Sequence, residues 1–179
     1  MARSAPAGFV NLRIPRQTRR GKNARNRRDD MSVGSICTRI VATVNPNAGI
    51  VEAAKLMREA HVGDLIVVDS GEGGVVPVGI ITDRDIVVSV VAKEASPADL
   101  TVRDVMQSDL VSVREDDEIE TALERMHSEG VRRAPVTGNE GALVGILSID
   151  DVIGHLGAQL GHIGSLIGIE QQRETRARP

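Results

Sequence analysis

The 179-residue chain has no tryptophan, no tyrosine and a single phenylalanine, so no aromatic side chain occurs from Val10 onward. That excludes the ring platforms on which single-stranded nucleic acid stacks and the aromatic cages that hold quaternary ammonium groups. One cysteine, Cys37, excludes a disulfide framework and a multi-cysteine zinc site within one chain. No base lies near Cys37 in sequence to lower its thiol pKa, so it is not expected to be a nucleophile. Of the four histidines, His155 and His162 stand seven apart on one helical face, and they would share a metal more readily across an oligomer interface than within one chain. The acidic run Glu115 to Glu118 resembles paired catalytic carboxylates, but it precedes an apolar helical pattern, where a helix N-terminus favours negative charge. The chain is not expected to be an enzyme, to carry a catalytic cofactor or to bind a metal.

What is present is a globular composition, 41% apolar and 26% charged, with a charge split hidden in the net value of −3. Residues 1–30 carry a net charge of +7 and the remainder −10. The basic arm has no sustained apolar periodicity and is interrupted by Pro6, Gly8, Pro15 and Gly21, so it is expected to be disordered. It also lacks the apolar stretch of a secretory signal. Three readings compete for it: a phosphate-binding tail, a transit-like peptide, or sequence upstream of a chain that starts at Met31. The last is favoured, because the first internal repeat begins there.

The repeat sets the organisation. A shift of 69 residues lays 42–62 on 111–131, matching Val44 with Val113, Ile50 with Ile119, Ala53 with Ala122, Met57 with Met126 and Val62 with Val131. Further along, a shift of 66 lays VGIITDRD (78–85) on VGILSIDD (144–151). The three-residue difference falls in a Gly-rich turn, SGEGG against GNEG, where length changes are tolerated. Two units follow, 32–97 and 101–157, after the arm (1–30) and before a C-terminal helix and tail (158–179).

Each unit reads as β-α-β-β-α, an α+β arrangement. A short strand (Val41 to Val44; Leu110 to Val113) leads to Asn47 or Asp116, residues with the chemistry to cap a helix. The helix has an apolar face at Ile50, Ala53, Ala54 and Met57 in one copy, and at Ile119, Ala122, Leu123 and Met126 in the other. Two β-branched strands follow, 65–68 and 75–81, or 134–137 and 143–147. A second helix begins after Thr82 or Ser148.

The tandem repeat, the closing strings GIITDRD and GILSIDD, and the turn Asp104 to Met106 resemble a pair of cystathionine-β-synthase-type (CBS) domains, the Bateman module. The resemblance covers about residues 32–157. The first copy departs from the pattern where Ile36 and Cys37 stand opposite Val105 and Met106, a modest change because cysteine also packs as a small hydrophobe.

The resemblance implies two repeats related by pseudo-two-fold symmetry, with adenosyl compounds (AMP, ADP, ATP or S-adenosylmethionine) bound in the cleft between them. It implies that Thr82 with Asp85, and Ser148 with Asp151, engage the ribose and phosphate of a nucleotide. A carboxylate can accept from both ribose hydroxyls, and a hydroxyl beside free helix-terminal amides suits phosphate. The same [ST]-x-x-D pattern is also a capping box, in which these side chains serve the helix's own first turn. The two roles are compatible.

The copies differ before the inner strand, where Arg132 and Arg133 face Gly63 and Asp64 in the alignment. Guanidinium groups bind phosphate through paired donors and a carboxylate repels it. In the family, basic residues here reach phosphates across the repeats. Arg132 or Arg133 is therefore expected to serve the site closed by Thr82 and Asp85, with Arg84 a third candidate, and Asp64 weakens the phosphate cradle of the other site.

Val152 to Ile169 carries no formal charge, but its five glycines, two histidines, Gln159 and Ser165 argue against a membrane span. Leu156, Leu160, Ile163 and Ile167 recur at helical spacing beside a glycine stripe, so this helix is expected to dock in an oligomer or on an effector protein. The reading is a cytoplasmic, non-enzymatic, homodimeric sensor of an adenosyl ligand that signals to a partner. The alternatives are a nucleic-acid-associated protein using its basic arm, which the missing aromatics disfavour, and a structural dimerisation module with empty clefts.

Overall fold

The computed structural model describes residues 10–13, 32–71 and 74–177. Strand β1 (Val10–Arg13) is followed by a one-turn helix α1 (Val33–Ile36), strand β2 (Ile40–Val44) and helix α2 (Ile50–Ala60). The hairpin β3 (Asp64–Gly71) and β4 (Gly74–Thr82) then leads into α3 (Asp83–Ile86), which continues as a π-helical turn over Val87–Val91. The second copy runs β5 (Val113–Arg114), α4 (Ile119–Ser128), β6 (Arg133–Thr137), β7 (Leu143–Ser148) and a 29-residue helix α5 (Ile149–Ala177).

The sheets follow one plan. In each, a short strand pairs parallel with the first hairpin strand, and the hairpin itself is antiparallel. Both hairpins shift register at the equivalent place, between Val67 and Val68 and between Val136 and Thr137. The fold is α+β, two copies of one unit plus a long terminal helix.

One segment departs from the sequence expectation for the arm. Val10–Arg13 is not disordered but lies antiparallel on β2, Val10 opposite Thr43 and Arg13 opposite Ile40. Its Val-Asn-Leu-Arg alternation has the period of a strand, and it covers what would otherwise be an unpaired edge of β2. The other residues of the arm lie outside the described residues, as do two of the SGEGG turn.

The helix faces differ in two details. On α2 the buried residues are Ile50, Ala53, Leu56 and Met57, whereas Ala54 is exposed at the edge of an arc centred on its neighbours. Neither Asn47 nor Asp116 caps a helix. Gly49 and Glu118 occupy those positions without side-chain caps, and Asp116 instead pairs with Arg114. The reason at α2 is tertiary: its leading amide, on Ile50, already donates to the Leu100 carbonyl at 3.1 Å.

The two cores exchange their lead segments. Val33 and Cys37, which precede the first unit's strand, are buried among Val113, Ala122, Met126, Val136 and Leu147 of the second unit. Reciprocally, Val102 is buried in the first unit with Ile50, Leu56, Leu65 and Ile81, and Val105 and Met106 pack beside it. The backbone repeats the exchange. Val33 N–H donates to Asp117 O at 2.9 Å and Val102 N–H to Ala48 O at 2.8 Å, while Thr38 and Ile146, and Gln107 and Ile80, exchange pairs of bonds at 2.9–3.0 Å. A third cluster, Val41, Ile66 and Leu143 with Ile80 and Ile146 against it, joins the two sheets.

Candidate functional site

Strand β4 ends where Thr82 takes extended backbone angles and α3 begins. A threonine followed three residues later by an aspartate closes a reciprocal cap here. Thr82 N–H and Oγ1–H donate to Asp85 Oδ2 at 2.9 and 2.7 Å, and Asp85 N–H donates to Thr82 Oγ1 at 3.1 Å. The second copy is built alike: Ser148 N–H and Oγ–H donate to Asp151 Oδ2 at 2.8 and 2.6 Å, and Asp151 N–H returns to Ser148 Oγ at 3.2 Å.

The remaining oxygen of each carboxylate reaches the other unit. Gln107 Nε2 donates to Asp85 Oδ1 at 2.9 Å, and Thr38 Oγ1 donates to Asp151 Oδ1 at 3.3 Å. Gln107 and Thr38 are equivalent residues of the exchanged lead segments, so each box is tied to the opposite repeat. With about four acceptor positions on a carboxylate, three are used in each case. The sequence reading did not find these two residues; the signal was present as an aligned polar position following Ile36-Cys37 and Val105-Met106.

The lead segments come this close because the opposing strands have glycine. A Cβ on Gly79 would lie 2.8 Å from Gln107 O and 2.9 Å from Met106 Sδ, and one on Gly145 would lie 2.9 Å from both Cys37 Sγ and Thr38 O. Arg39 fastens the first lead segment further: its guanidinium donates to Gly34 O at 2.9 Å and Val144 O at 3.0 Å, beside Glu115 at 3.5 Å. Burial pushes the Cys37 thiol pKa up, against a smaller lowering by Arg39, which keeps this cysteine protonated and inert.

Asp64 and Arg133 lie between the boxes. Asp64 is paired across its hairpin with Thr82, and Arg133 across its own with Ser148. The two side chains, which occupy equivalent alignment positions, form an ion pair across the pseudo-axis. The Asp64 side chain is 9% exposed and that of Arg133 44%. Burial pushes the Asp64 carboxyl pKa up; Arg133 opposes this and the nearby Asp83 adds to it. Arg84 and Arg132 are exposed, beside Asp83 and Arg133 in the chain. Thr82, Asp85, Ser148, Asp151, Asp64 and Arg133 thus share one region, with Arg133 committed to Asp64.

Comparison with known proteins accords with this geometry. The CBS domain family model matches residues 33–92 and 102–158. An uncharacterized protein of Methanopyrus kandleri is 36% identical over 123 residues, which is 69% of this chain and 61% of that protein, so the chain spans less than two thirds of that relative. Among solved structures, the CBS domain pair of protein MJ0100 in complex with 5′-methylthioadenosine and S-adenosyl-L-methionine aligns with a TM-score of 0.61 and 26% identity, covering 72% of this chain and 97% of that one. The hexameric CBS-CP12 protein from bloom-forming cyanobacteria aligns with a TM-score of 0.60 and 32% identity, covering 68% and 66%. Two matched domains, with boxes and lead segments in register, make this chain a tandem CBS-domain protein, a Bateman module of a regulatory and non-catalytic family.

Proposed function

We propose that the protein is a cytoplasmic sensor that binds an adenosyl compound between its repeats and passes the occupancy to another molecule. The observation that carries this reading is the tie from each carboxylate to the opposite repeat through Gln107 or Thr38. A ribose competing for Asp85 or Asp151 would disturb an inter-repeat contact, which turns occupancy into a change between the units. The adenosyl ligands of the MJ0100 pair support the ligand class.

Thr82, Asp85, Ser148 and Asp151 are the proposed ribose-side residues, with Arg84 and Arg132 free to approach phosphate from the exposed rim. Arg133 is a poorer phosphate ligand than its sequence position implies, since leaving Asp64 would strand a buried carboxylate. Adenine would lie against aliphatic side chains. Assembly into a homodimer is part of the proposal, supported by the exposed apolar residues Val87, Val88 and Val91 after α3.

A structural module with empty clefts is the second reading, favoured by the complete caps that already occupy all four box side chains. Thermal unfolding of the full chain, followed by circular dichroism with AMP, ADP, ATP, S-adenosylmethionine or NAD, separates the two. A ligand at 100 times its Kd should add about 2.7 kcal/mol. The sensor reading expects one adenosyl compound to raise the midpoint, with the shift lost in Asp85→Ala or Asp151→Ala relative to each variant's own midpoint. Midpoints unmoved by the whole panel would leave the structural reading standing.

A further inference from the structure

Helix α5 starts in the second repeat, where Val152 is buried, and then leaves the body. Beyond Val152 its large apolar side chains are exposed, Leu160 at 68% and Ile163 at 58% among them. Ile149, Ile153, Leu156, Leu160, Ile163 and Ile167 are spaced four, three, four, three and four apart. That is a 3.5-residue period held over most of three heptads, the seam of a helix that pairs with another helix. The segment also meets the length and composition needed to cross a membrane, with a mean hydropathy of 1.3 over its most apolar stretch. The seam, however, holds five of the seven large apolar side chains beyond Val152, with Leu166 beside it and Ile169 off it, and faces away from a side bearing His155, Ala158, His162 and Ser165, whereas a spanning helix has no reason to concentrate its large side chains on one side.

We propose that this seam pairs with α5 of a second copy of the chain. Area and charge favour that occupant. Ile153, Leu156, Leu160, Ile163, Leu166 and Ile167, at roughly 100 Å² of exposed apolar surface each, offer on the order of 600 Å² per copy, which reaches the lower end of stable interfaces. From Ile153 to Ile167 the flanking positions Gly157, Gln159, Gly164 and Leu166 are uncharged, so along this stretch no charge repels an identical helix or selects a different one. Gly157 and Gly164, with no atom near the place a Cβ would take, leave room beside the seam for close approach. Glutamates at 170 and 174 end the seam, because they would place like charges together in a continued pair. The inference concerns α5 alone and does not require a ligand in the clefts.

The test uses the full chain, whose native Cys37 is buried, so an introduced cysteine is the reactive thiol. Leu160→Cys on the seam and Ser165→Cys on the opposite side are oxidised in parallel, with far-UV circular dichroism to establish that each is folded. Leu160→Cys should form disulfide-linked dimers at least about tenfold faster than Ser165→Cys, since paired thiols face each other at roughly millimolar effective concentration. Light scattering of Ile163→Glu should show a smaller assembly than the unaltered chain. Equal crosslinking at the two positions, or crosslinking of Leu160→Cys only in phosphatidylcholine vesicles, would overturn the inference. So would an assembly that keeps its mass in Ile163→Glu without seam crosslinks, an outcome that leaves a dimer through the body intact.

Discussion

The two repeats share a backbone plan, yet they hold their junction with opposite chemistry. The first contributes a buried carboxylate, Asp64, and the second a half-exposed guanidinium, Arg133, from equivalent positions. The first box is tied by the long amide of Gln107 at 2.9 Å, and the second by the short hydroxyl of Thr38 at 3.3 Å. Both lead segments cross over a glycine, but one presses a flexible methionine and the other a buried cysteine. Duplicated sequence therefore supplies the symmetric frame, and divergence within it makes the junction complementary. Two copies of Asp64 would repel across the axis, and two of Arg133 would likewise.

The largest expected effects break the shared frame. Gly79→Ala and Gly145→Ala should each cost about 2–3 kcal/mol, because the new methyl meets a backbone carbonyl at 2.8 or 2.9 Å and forces the lead segment away. Gly145 should be the more sensitive, since buried Cys37 yields less readily than Met106. Urea unfolding read by circular dichroism measures both, as the chain has no tryptophan or tyrosine to report fluorescence.

Next comes the asymmetric pair. Arg133→Met should cost about 2 kcal/mol, by stranding a buried carboxylate, whereas Asp64→Asn should be close to neutral because the half-exposed Arg133 keeps access to water. Equal losses in the two variants would contradict the assignment of the cost to Asp64. The caps should be nearly matched: Thr82→Ala and Ser148→Ala each lose about 1 kcal/mol in the same measurement. A much larger loss in one would mean that its box carries more than a cap.

The smallest effect is a pH dependence. The Asp64 carboxyl titrates above its ordinary value of 3.8, so the folded state holds this proton more tightly than the unfolded chain. The resulting stabilisation is full below that ordinary value and is lost as pH rises through the raised one. Measured against Asp64→Asn from pH 4 to 7, the unaltered chain should lose relative stability as pH rises. The loss should extend to higher pH in Arg133→Met, where the opposing charge is gone.

The chemistry of the site was legible to the extent that it is local. Thr82-x-x-Asp85 and Ser148-x-x-Asp151 announce their caps because a capping box closes within one turn, and repetition at a fixed shift exposed the second copy. The same local reasoning failed at Asn47, since the leading amide of α2, on Ile50, is already satisfied by the Leu100 carbonyl, and at Asp116, whose carboxylate pairs with Arg114 instead. It also failed at Ala54, where only the packing of neighbouring elements decides how wide the buried arc is.

By itself the sequence determined the repeat, the α+β order of elements, the boxes and the apolar seam of α5, all of which are carried by periodicity or by contacts a few residues long. Only the tertiary structure decided which core each lead segment enters, why Gly79 and Gly145 lack side chains, and that Arg133 is paired with Asp64. Those contacts join residues 69 or more positions apart or lie between separate elements, and no local propensity records them; they follow from the exclusion of water and the close packing that appear when the two repeats meet.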